Sequence, residues 1–429
     1  MRLVTLNYNG GDLTIDCVAR LRATQWPRDR LRVVLIDNAS TDGVADTVAA
    51  QWPDVEVIRS ATNLGFAGGM NLGLASLEQV EHVALVNNDV LVTPGWLAPL
   101  AAALDGDPGI GAASPKILFS TRFVEIELES PTSRRGRGDR RDLGIRVSGA
   151  RVDGRDVMEH TQLVDGFWGP EPSPDPDPRA PAQWTRRRAL LRVPVERGTA
   201  ATSIELRLHG DSPRRATARA GEATVSLDVG ASPAWHPVPA SDPAVEVLNS
   251  AGVMVTADGF GADRGYLEVD TGQFDEPTDV FGWSGATVLL AARYLADVGM
   301  FDERLFLYYE DFELSWRGHQ RGWRTRYVPE SVVRHIHSAT IGEHSAMARY
   351  QNERNRLLVL ARHGSPGTAA RAAGRSLLVT ASYARRDVVS RMLRGQRPRA
   401  TIVEDRVRAF GGYVGGLPSM LRSRHRDRR

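Results

Sequence analysis

One apolar run in the chain ends in two amides and a carboxylate. Val83–Val86 leads directly into Asn87, Asn88 and Asp89, and a second apolar run follows. Hard divalent cations such as Mg²⁺ or Mn²⁺ prefer oxygen ligands and often keep substrate phosphates in their shell, so one carboxylate together with a diphosphate makes a sufficient site. The pattern therefore predicts Asp89 as a metal ligand. An acid at a strand end is also a common turn residue or helix cap, and this alternative stays open.

Two adjacent acids, Glu310 and Asp311, lie in the aromatic stretch Phe301–Arg317 at the expected start of a helix. Partial burial beside Tyr308 and Tyr309 would raise the pKa of a carboxyl group towards the range in which it accepts a proton from a hydroxyl group. Either acid is therefore a candidate general base. The alternative is that both are first-turn acids favoured by the helix dipole.

Two further features are ambiguous on their own. His335 and His337 alternate at the end of a predicted strand, where they would share one face and could bind a metal, or be structural or solvated. Trp283, Ser284 and Gly285 form either a platform for a sugar ring or a packed strand.

The elements that must position these residues alternate along the first 120 residues. Short β-branched runs alternate with helical stretches such as 13–23 and 43–51, a pattern typical of a parallel α/β sheet. Ligands of such sheets bind beyond the carboxyl ends of the strands. The binding candidates are therefore the residues that follow the runs, which are Asn7, Asp37, Asn63, Gly65, Asn87 and Asn88.

The composition changes in the middle of the chain. Residues 121–244 contain a Pro-rich stretch and short alternating runs such as 203–208 and 223–228, which predict antiparallel strands. We expect an inserted β-sandwich-like domain there, with a loosely ordered insertion as the alternative. The α/β pattern of 1–120 resumes over 245–346, and 347–429 predicts amphipathic helices.

Composition excludes several classes of protein. The chain has 54 Lys+Arg, 52 Asp+Glu and 42% hydrophobic residues, which is globular composition. Its one cysteine, Cys17, cannot form an intrachain disulfide or a multi-thiolate metal site, so we expect a reducing, cytoplasmic location. No apolar run reaches the roughly 18–20 residues that span a bilayer, and the N-terminus lacks the pattern of a signal peptide. We therefore expect no integral membrane segment.

The charge is unevenly distributed. From Pro366 onward the chain has fifteen Arg and four acids, a net charge of +11. Apolar residues such as Leu377, Leu378, Met392, Leu393 and Met420 are interleaved with these arginines. This pattern suits an anionic membrane surface, and a soluble helical cap with a basic face is the alternative. Nucleic acid is not expected as a partner, because no recognised nucleic-acid-binding motif accompanies the charge.

Eight short motifs occur in order along the two α/β parts. They are Val4–Asn9, Asp37–Gly43, Asn63–Asn71, Asn87–Asp89, Ser284–Ala286, Phe301–Glu303, Tyr309–Asp311 and Arg354–Asn355. This combination resembles the family 2 inverting glycosyltransferases, specifically the bacterial rhamnosyltransferase-like branch. The resemblance covers about residues 2–120 and 245–364 and leaves the insertion and the basic C-terminal region outside it.

The resemblance implies the Rossmann-like GT-A fold. It also implies a nucleotide-diphosphate sugar donor and a divalent metal, which is Mn²⁺ or Mg²⁺. Asp37 would contact the base or ribose, and Asp89 would be the last acid of the Asp-x-Asp metal motif. Asn87 replaces the first acid of that motif and lowers the negative charge of the site. His335 matches the metal-binding histidine of the family and Asp311 its general base, with Glu310 as a second catalytic candidate. The remaining implied contacts are Asn7, Asn63, Gly65, Asn87 and Asn88 for the donor nucleotide, and Trp283, Ser284 and Gly285 for the acceptor or sugar.

The mechanism that follows is one in-line displacement with inversion of configuration. The donor implied first is dTDP-rhamnose, ahead of UDP-hexose or UDP-galactofuranose, and the acceptor is a glycan or lipid-linked saccharide of cell-envelope or polysaccharide synthesis. Such an acceptor places the enzyme at the inner face of the plasma membrane. The alternative function is a catalytically inactive glycan-binding or scaffold protein with the same fold.

Overall fold

The computed structural model describes residues 1–134, 139, 141–169, 183–198, 203–240, 244–256, 258–336 and 345–427. The chain forms two compact units. The first consists of Met1–Leu118, Leu248–Tyr266 and Gly272–Arg429, and the second of Phe119–Val247 with Leu267–Thr271. The C-terminal helices therefore belong to the same unit as the N-terminal α/β part.

Strands and helices alternate at the start of the first unit, as the hydrophobic pattern predicts. The strand interiors are apolar on both faces, and Val34, Leu35 and Ile36 are completely buried. The elements are β1 (Arg2–Asn7), α1 (Asp12–Arg22), β2 (Arg32–Asp37), α2 (Val44–Gln51), β3 (Glu56–Arg59), α3 (Gly65–Leu74), β4 (His82–Val86), β5 (Val90–Leu91), α4 (Leu97–Gly106) and β6 (Ile110–Phe119).

The second unit is an antiparallel β domain. Its strands are β7 (Arg122–Glu129), β8 (Arg146–Val152), β9 (Arg155–Asp156), β10 (Gln162–Phe167), β11 (Gln183–Val195), β12 (Ile204–His209), β13 (Arg214–Ala220), β14 (Ala223–Val229) and β15 (Ala234–Val238). They form one nine-stranded sheet rather than the two sheets of a sandwich, with the path β14-β13-β7-β11-β8-β12-β15. The long strand β11 pairs with β7 through 188–195 and with β8 through 183–184, so it joins the two halves into one curved, nearly closed sheet around an apolar core.

The chain then completes the first unit. Its elements are β16 (Leu248–Ser250), β17 (Val253–Val255), β18 (Gly261–Asp263), β19 (Thr278–Val280), β20 (Thr287–Ala291), α5 (Ala292–Val298), α6 (Glu310–Gln320), β21 (Arg324–His335), α7 (Ala346–His363), α8 (Pro366–Tyr383), α9 (Ser390–Leu393) and α10 (Thr401–Asp427). A π-helical turn, Ala384–Val389, joins α8 to α9. Within the described residues, no helix is long and apolar enough to cross a membrane.

A ten-stranded mixed sheet forms the centre of the first unit, with the path β19-β21-β6-β20-β4-β1-β2-β3. β1 to β4 pair in parallel, whereas β20 runs antiparallel to β4. The segment that precedes β20 therefore lies at the same edge as the end of β4, and the backbone N–H of Asn87 donates to the carbonyl oxygen of Ala286 at 2.9 Å. This edge brings together the predicted motifs that follow β1, β2 and β4.

The C-terminal helices α7 and α10 pack against the residues that flank the start of α6. Leu305 and Phe312 share one apolar cluster with Leu357–Ala361 on α7 and with Tyr413 and Met420 on α10. Met420 is completely buried, so the expectation that it lies on a membrane-facing surface is wrong. Tyr413 and Met420 of α10 thus pack in the core beside α7, whereas other apolar residues of α10, such as Val407 and Val414, are exposed.

Candidate active site

A cavity of about 310 Å³ opens beside the end of β4 and the N-terminus of α6. Glu310 and Asp311 line it, together with the turn that precedes β20. Its lining consists of Phe66, Asn87, Val253, Gly261–Asp263, Ser284–Ala286, Leu307–Phe312 and Asn352. The fold therefore places the two predicted catalytic acids next to Asn87, Ser284 and Gly285.

The loop that leads into α6 has an unusual backbone. Phe306, Tyr308 and Tyr309 have φ angles of 63°, 66° and 70°, in the left-handed region that non-glycine residues rarely adopt. Each such residue costs about 1–3 kcal/mol, which the surrounding structure must offset. This loop ends at Tyr309, and α6 begins at Glu310, as the sequence analysis expects.

One buried amide on α7 holds this loop. Asn355 is completely buried, and the two N–H groups of its Nδ2 are shared among the carbonyl oxygens of Leu305, Leu307 and Tyr308, which lie 2.7, 2.9 and 2.8 Å away. Three carbonyl groups turned towards one amide require the irregular backbone that the loop adopts. Asn355 therefore positions the two acids that follow the loop in sequence.

Burial separates the protonation states of the two acids. Burial raises the pKa of Asp311 to about 6, the backbone N–H of Phe312 opposes this shift, and the negative charge of Asp263 adds to it. Burial and the charge of Asp311 raise the pKa of Glu310 well above its ordinary value. Near neutral pH, Asp311 is therefore a carboxylate that can accept a proton, while burial favours the protonated form of Glu310.

The turn before β20 is shaped to fit the carboxyl group of Asp311. A Cβ atom on Gly285 would lie 2.9 Å from Asp311 Oδ2, so a larger residue would displace the acid. Trp283, by contrast, is 1% exposed and packs edge-on against Tyr294 with ring centroids 6.1 Å apart. Its ring is part of the core, which corrects the prediction of a sugar platform at Trp283.

Asn7 organises the loop at the end of β1. Its Nδ2 donates to Ser40 Oγ at 3.0 Å and to Asp42 Oδ1 at 3.1 Å, and its Oδ1 accepts from Gly10 N and Thr14 Oγ1. Because these bonds occupy the whole buried amide, Asn7 supports the site and does not offer its own side chain to a nucleotide.

Asp37 and Asn63 lie at the ends of neighbouring strands. Asp37 accepts from Ser40 N at 3.1 Å, and Asn63 Oδ1 accepts from Gly65 N at 2.8 Å. Buried Asn38, which the sequence analysis did not assign, joins the two ends by donating to Asn63 Oδ1 at 3.0 Å. This edge is the predicted nucleotide side of the site.

Gly65 connects the nucleotide side to the catalytic loop. Its φ angle is 70°, and a Cβ atom there would lie 2.4 Å from the carbonyl oxygen of Phe306. That same oxygen accepts from Ala67 N at 3.1 Å. On the β4 side, Asn88 donates to Thr14 Oγ1 at 2.9 Å, so its amide supports the loop after β1.

Asp89 and His335 face each other across β5 and β21. His335 pairs with Val90, and its Nε2 lies 3.2 Å from Asp89 Oδ1. His335 Nδ1 lies 3.0 Å from the Oδ1 of Asn249, which the sequence analysis missed. A proton on Nδ1 would leave the Nε2 lone pair directed at Asp89. His337 lies outside the described residues.

The donor chemistry of this pair fits a divalent cation. One carboxylate and one imidazole lie close enough to share an ion that accepts oxygen and nitrogen ligands, such as Mn²⁺. Within the described ranges, no group of three or more His, Cys, Asp or Glu side chains is placed to hold a metal. Further ligands would therefore have to come from a substrate or water.

Two family models match the chain. The model described as "Glycosyl transferase family 2" matches residues 3–158, and "Glycosyl transferase family group 2" matches residues 247–379. One curated relative, an N-acetylglucosaminyl-diphospho-decaprenol L-rhamnosyltransferase of Mycobacterium tuberculosis, is 33% identical over 126 residues. That match covers 27% of this chain and 40% of the relative.

Two solved glycosyltransferase structures are similar to the chain at lower sequence identity. GalNAc-T7 with UDP, GalNAc and Mn²⁺ has a TM-score of 0.40 and 15% identity, covering 84% of this chain and 47% of the other. The mannosyltransferase PcManGT from Pyrobaculum calidifontis, in complex with GDP-Man and Mn²⁺, has a TM-score of 0.39 and 14% identity, covering 99% of this chain and 73% of the other.

Proposed function

Because the chain belongs to glycosyltransferase family 2 and has the mixed α/β sheet of a GT-A fold, we propose that it transfers a sugar from a nucleotide-diphosphate donor with inversion of configuration. The observation that carries this proposal is the cavity in which Asp311 faces the turn at Gly285 beside the end of β4. The raised pKa of Asp311 gives a carboxylate of useful basicity near neutral pH.

In the proposed reaction, the hydroxyl oxygen of the acceptor attacks the anomeric carbon of the donor sugar. Asp311 accepts the proton of that hydroxyl group during the attack. The bond from that carbon to the diphosphate breaks on the opposite face, so the configuration inverts. Protonated Glu310 keeps a second negative charge away from Asp311 and can hydrogen-bond the acceptor. Asn355 holds the loop that fixes both acids before the substrate arrives.

Asp89 and His335 would hold a divalent cation together with the donor diphosphate. Such an ion supplies positive charge that stabilises the leaving phosphate. Asp37 and the Asn63–Phe66 loop would bind the nucleotide at the neighbouring strand ends. Asn87, which lines the cavity, would lie between the diphosphate and the sugar.

The finer specificity is also a proposal. The name of the mycobacterial relative, an L-rhamnosyltransferase, favours rhamnose from dTDP-rhamnose and a lipid-linked saccharide acceptor. The match spans less than half of that relative, so substrate and acceptor need their own test. A lipid-linked acceptor would place the enzyme on the inner face of the plasma membrane, in cell-envelope or polysaccharide synthesis.

A thermal-shift panel tests donor binding. UDP-sugars, dTDP-rhamnose and GDP-mannose are added with and without Mn²⁺, because a ligand that binds only the native state raises Tm. We expect a shift with one donor class that grows with Mn²⁺. The absence of a shift with every donor would contradict the proposed donor site.

The pH dependence of kcat/KM tests whether Asp311 is the general base. Asp311 acts as a carboxylate, so kcat/KM should rise with pH and level off above its pKa of about 6. At one pH unit below that pKa, about a tenth of the plateau rate remains. Asp263→Asn removes a charge that raises the pKa of Asp311, so the acidic limb should move to lower pH. The exposed Asp258→Asn is the control, and an unmoved limb in Asp263→Asn would contradict the assignment.

Asn355→Asp tests the loop clamp. An aspartate keeps the size of the side chain but cannot donate to the three carbonyl oxygens. We expect kcat to fall about 10²-fold because a small displacement of a catalytic group has an effect of this size, while the KM for the donor changes little. Gln51→Glu, the same amide-to-acid change at an exposed position on α2, is the control, and a normal kcat in Asn355→Asp would refute the clamp.

A further inference from the structure

The structure divides the apolar residues of the basic C-terminal region into two sets. On α10, Met420 packs into the core with Leu417 beside it, whereas Ile402, Val407, Val414 and Leu421 are exposed. Five others, on α8, α9 and the π-helical turn, are exposed. We call these five the α8–α9 ridge: Leu377, Leu378, Val389, Met392 and Leu393, with exposures of 49, 74, 50, 61 and 83%.

The opposite side of α8 accounts for its attachment to the protein. Ala372 and Ser376 are buried, and Ser376 Oγ donates to Glu353 on α7 at 2.6 Å. Helix α8 is thus anchored by its inner side, which leaves the ridge on the outer side. Exposed apolar side chains grouped in this way mark an interaction surface.

The charge around the ridge selects the partner. Residues 377–400 contain six Arg and one Asp, a net charge of +5. Arg386 pairs with Asp387, but within the described part of the chain no carboxylate pairs with the exposed Arg385 or Arg394. These arginines therefore keep their charge available beside the apolar side chains.

We propose that the α8–α9 ridge docks on an anionic phospholipid bilayer. A helix that inserts apolar side chains at the headgroup boundary and flanks them with arginines is typical of interfacial membrane binding. Among the described residues, no helix is long and apolar enough to span the membrane. This inference deepens the proposed function, since a lipid-linked acceptor lies in such a membrane. It is measured by binding alone, so it can fail or succeed independently of sugar transfer.

Vesicle flotation of the full chain tests the docking. We expect the protein to float with phosphatidylcholine vesicles containing about 30% phosphatidylglycerol and to stay behind with phosphatidylcholine alone. Leu378→Ser/Met392→Ser/Leu393→Ser should lower the floated fraction about tenfold or more, because each change removes exposed apolar area without opening the core. Met254→Ser/Met300→Ser, which alters exposed methionines elsewhere, is the control and should float normally.

A second variant separates charge from apolar insertion. Arg385→Gln/Arg394→Gln keeps the ridge and should weaken flotation with anionic vesicles and reduce its sensitivity to salt. Equal flotation of wild type and both variants would overturn the proposal. A dimer in solution that the triple variant dissociates, without a change in flotation, would assign the ridge to a second copy of the chain and also overturn it.

Discussion

Asp311→Asn is expected to lower kcat by about 10²–10⁴-fold, the range that general-base catalysis contributes, while donor affinity stays near the wild-type value. The amide has nearly the shape of the carboxylate and can keep the contact with the Phe312 N–H, but it cannot accept the proton of the acceptor hydroxyl. The loss should therefore occur in the transition state and not in the bound donor complex.

The measurement pairs steady-state kinetics with donor titration by thermal shift. Glu310→Gln is the matched control, because burial favours the protonated form of Glu310 and glutamine resembles that neutral form. We expect Glu310→Gln to retain most of the activity. If Asp311→Asn lost donor binding and turnover in equal proportion, Asp311 would be a binding residue instead of the base.

The second large effect is expected for Asp89→Asn. The substitution removes the carboxylate that faces His335 at 3.2 Å and that we propose as the metal ligand, so the diphosphate would lose the cation that stabilises it as it leaves. We expect kcat/KM to fall about 10²–10³-fold, the scale seen when one electrostatic stabiliser of a transition state is lost. The Mn²⁺-dependent part of the donor thermal shift should disappear as well.

Asp54→Asn provides the control for this change, since Asp54 is an exposed acid that pairs with Arg22 on α1. It should leave both the kinetics and the Mn²⁺ response intact. Asp89→Asn with an unaltered Mn²⁺ response would show that the cation binds elsewhere or that the reaction does not use one.

Local sequence patterns predicted the parts of the site that follow the sheet. Asn87, Asp89 and the Ser284–Ala286 turn come directly before or after apolar runs, and strands of this kind place their ends at one edge. The α/β alternation and the family resemblance were therefore sufficient to place them together. The roles of Asp311, Asp89 and His335 remain predictions that the variants above test.

Local sequence patterns did not indicate the roles of residues that are brought to the site by tertiary structure. Asp263 ends a three-residue strand shortly after the insertion, and no periodicity marks it. Asn355 was noted as part of a motif, but its three carbonyl partners lie 47–50 positions earlier. The backbone of Phe306 and Tyr309 is irregular because distant groups such as this amide hold it, and local propensity cannot reveal that.

In the inserted domain, too, local features were predicted correctly and features that depend on distant contacts were not. Short alternating runs correctly indicated antiparallel strands, because alternation is a local property. The number of sheets depends on which strands pair, and β11 joins both halves through partners 35 or more residues away. Trp283 was misplaced for a related reason, since its burial against Tyr294 follows from helix packing behind β20.

Transfer itself tests the central claim most directly. The wild-type protein is incubated with Mn²⁺, the nucleotide sugars of the panel and an N-acetylglucosaminyl-diphospho-lipid acceptor, and the product is analysed by mass spectrometry and by NMR of the new anomeric centre. We predict that the acceptor gains one sugar and that dTDP-rhamnose is the preferred donor. The new anomeric centre should have the configuration opposite to that of the donor. Retained configuration, or no transfer from any donor, would contradict a single displacement assisted by Asp311.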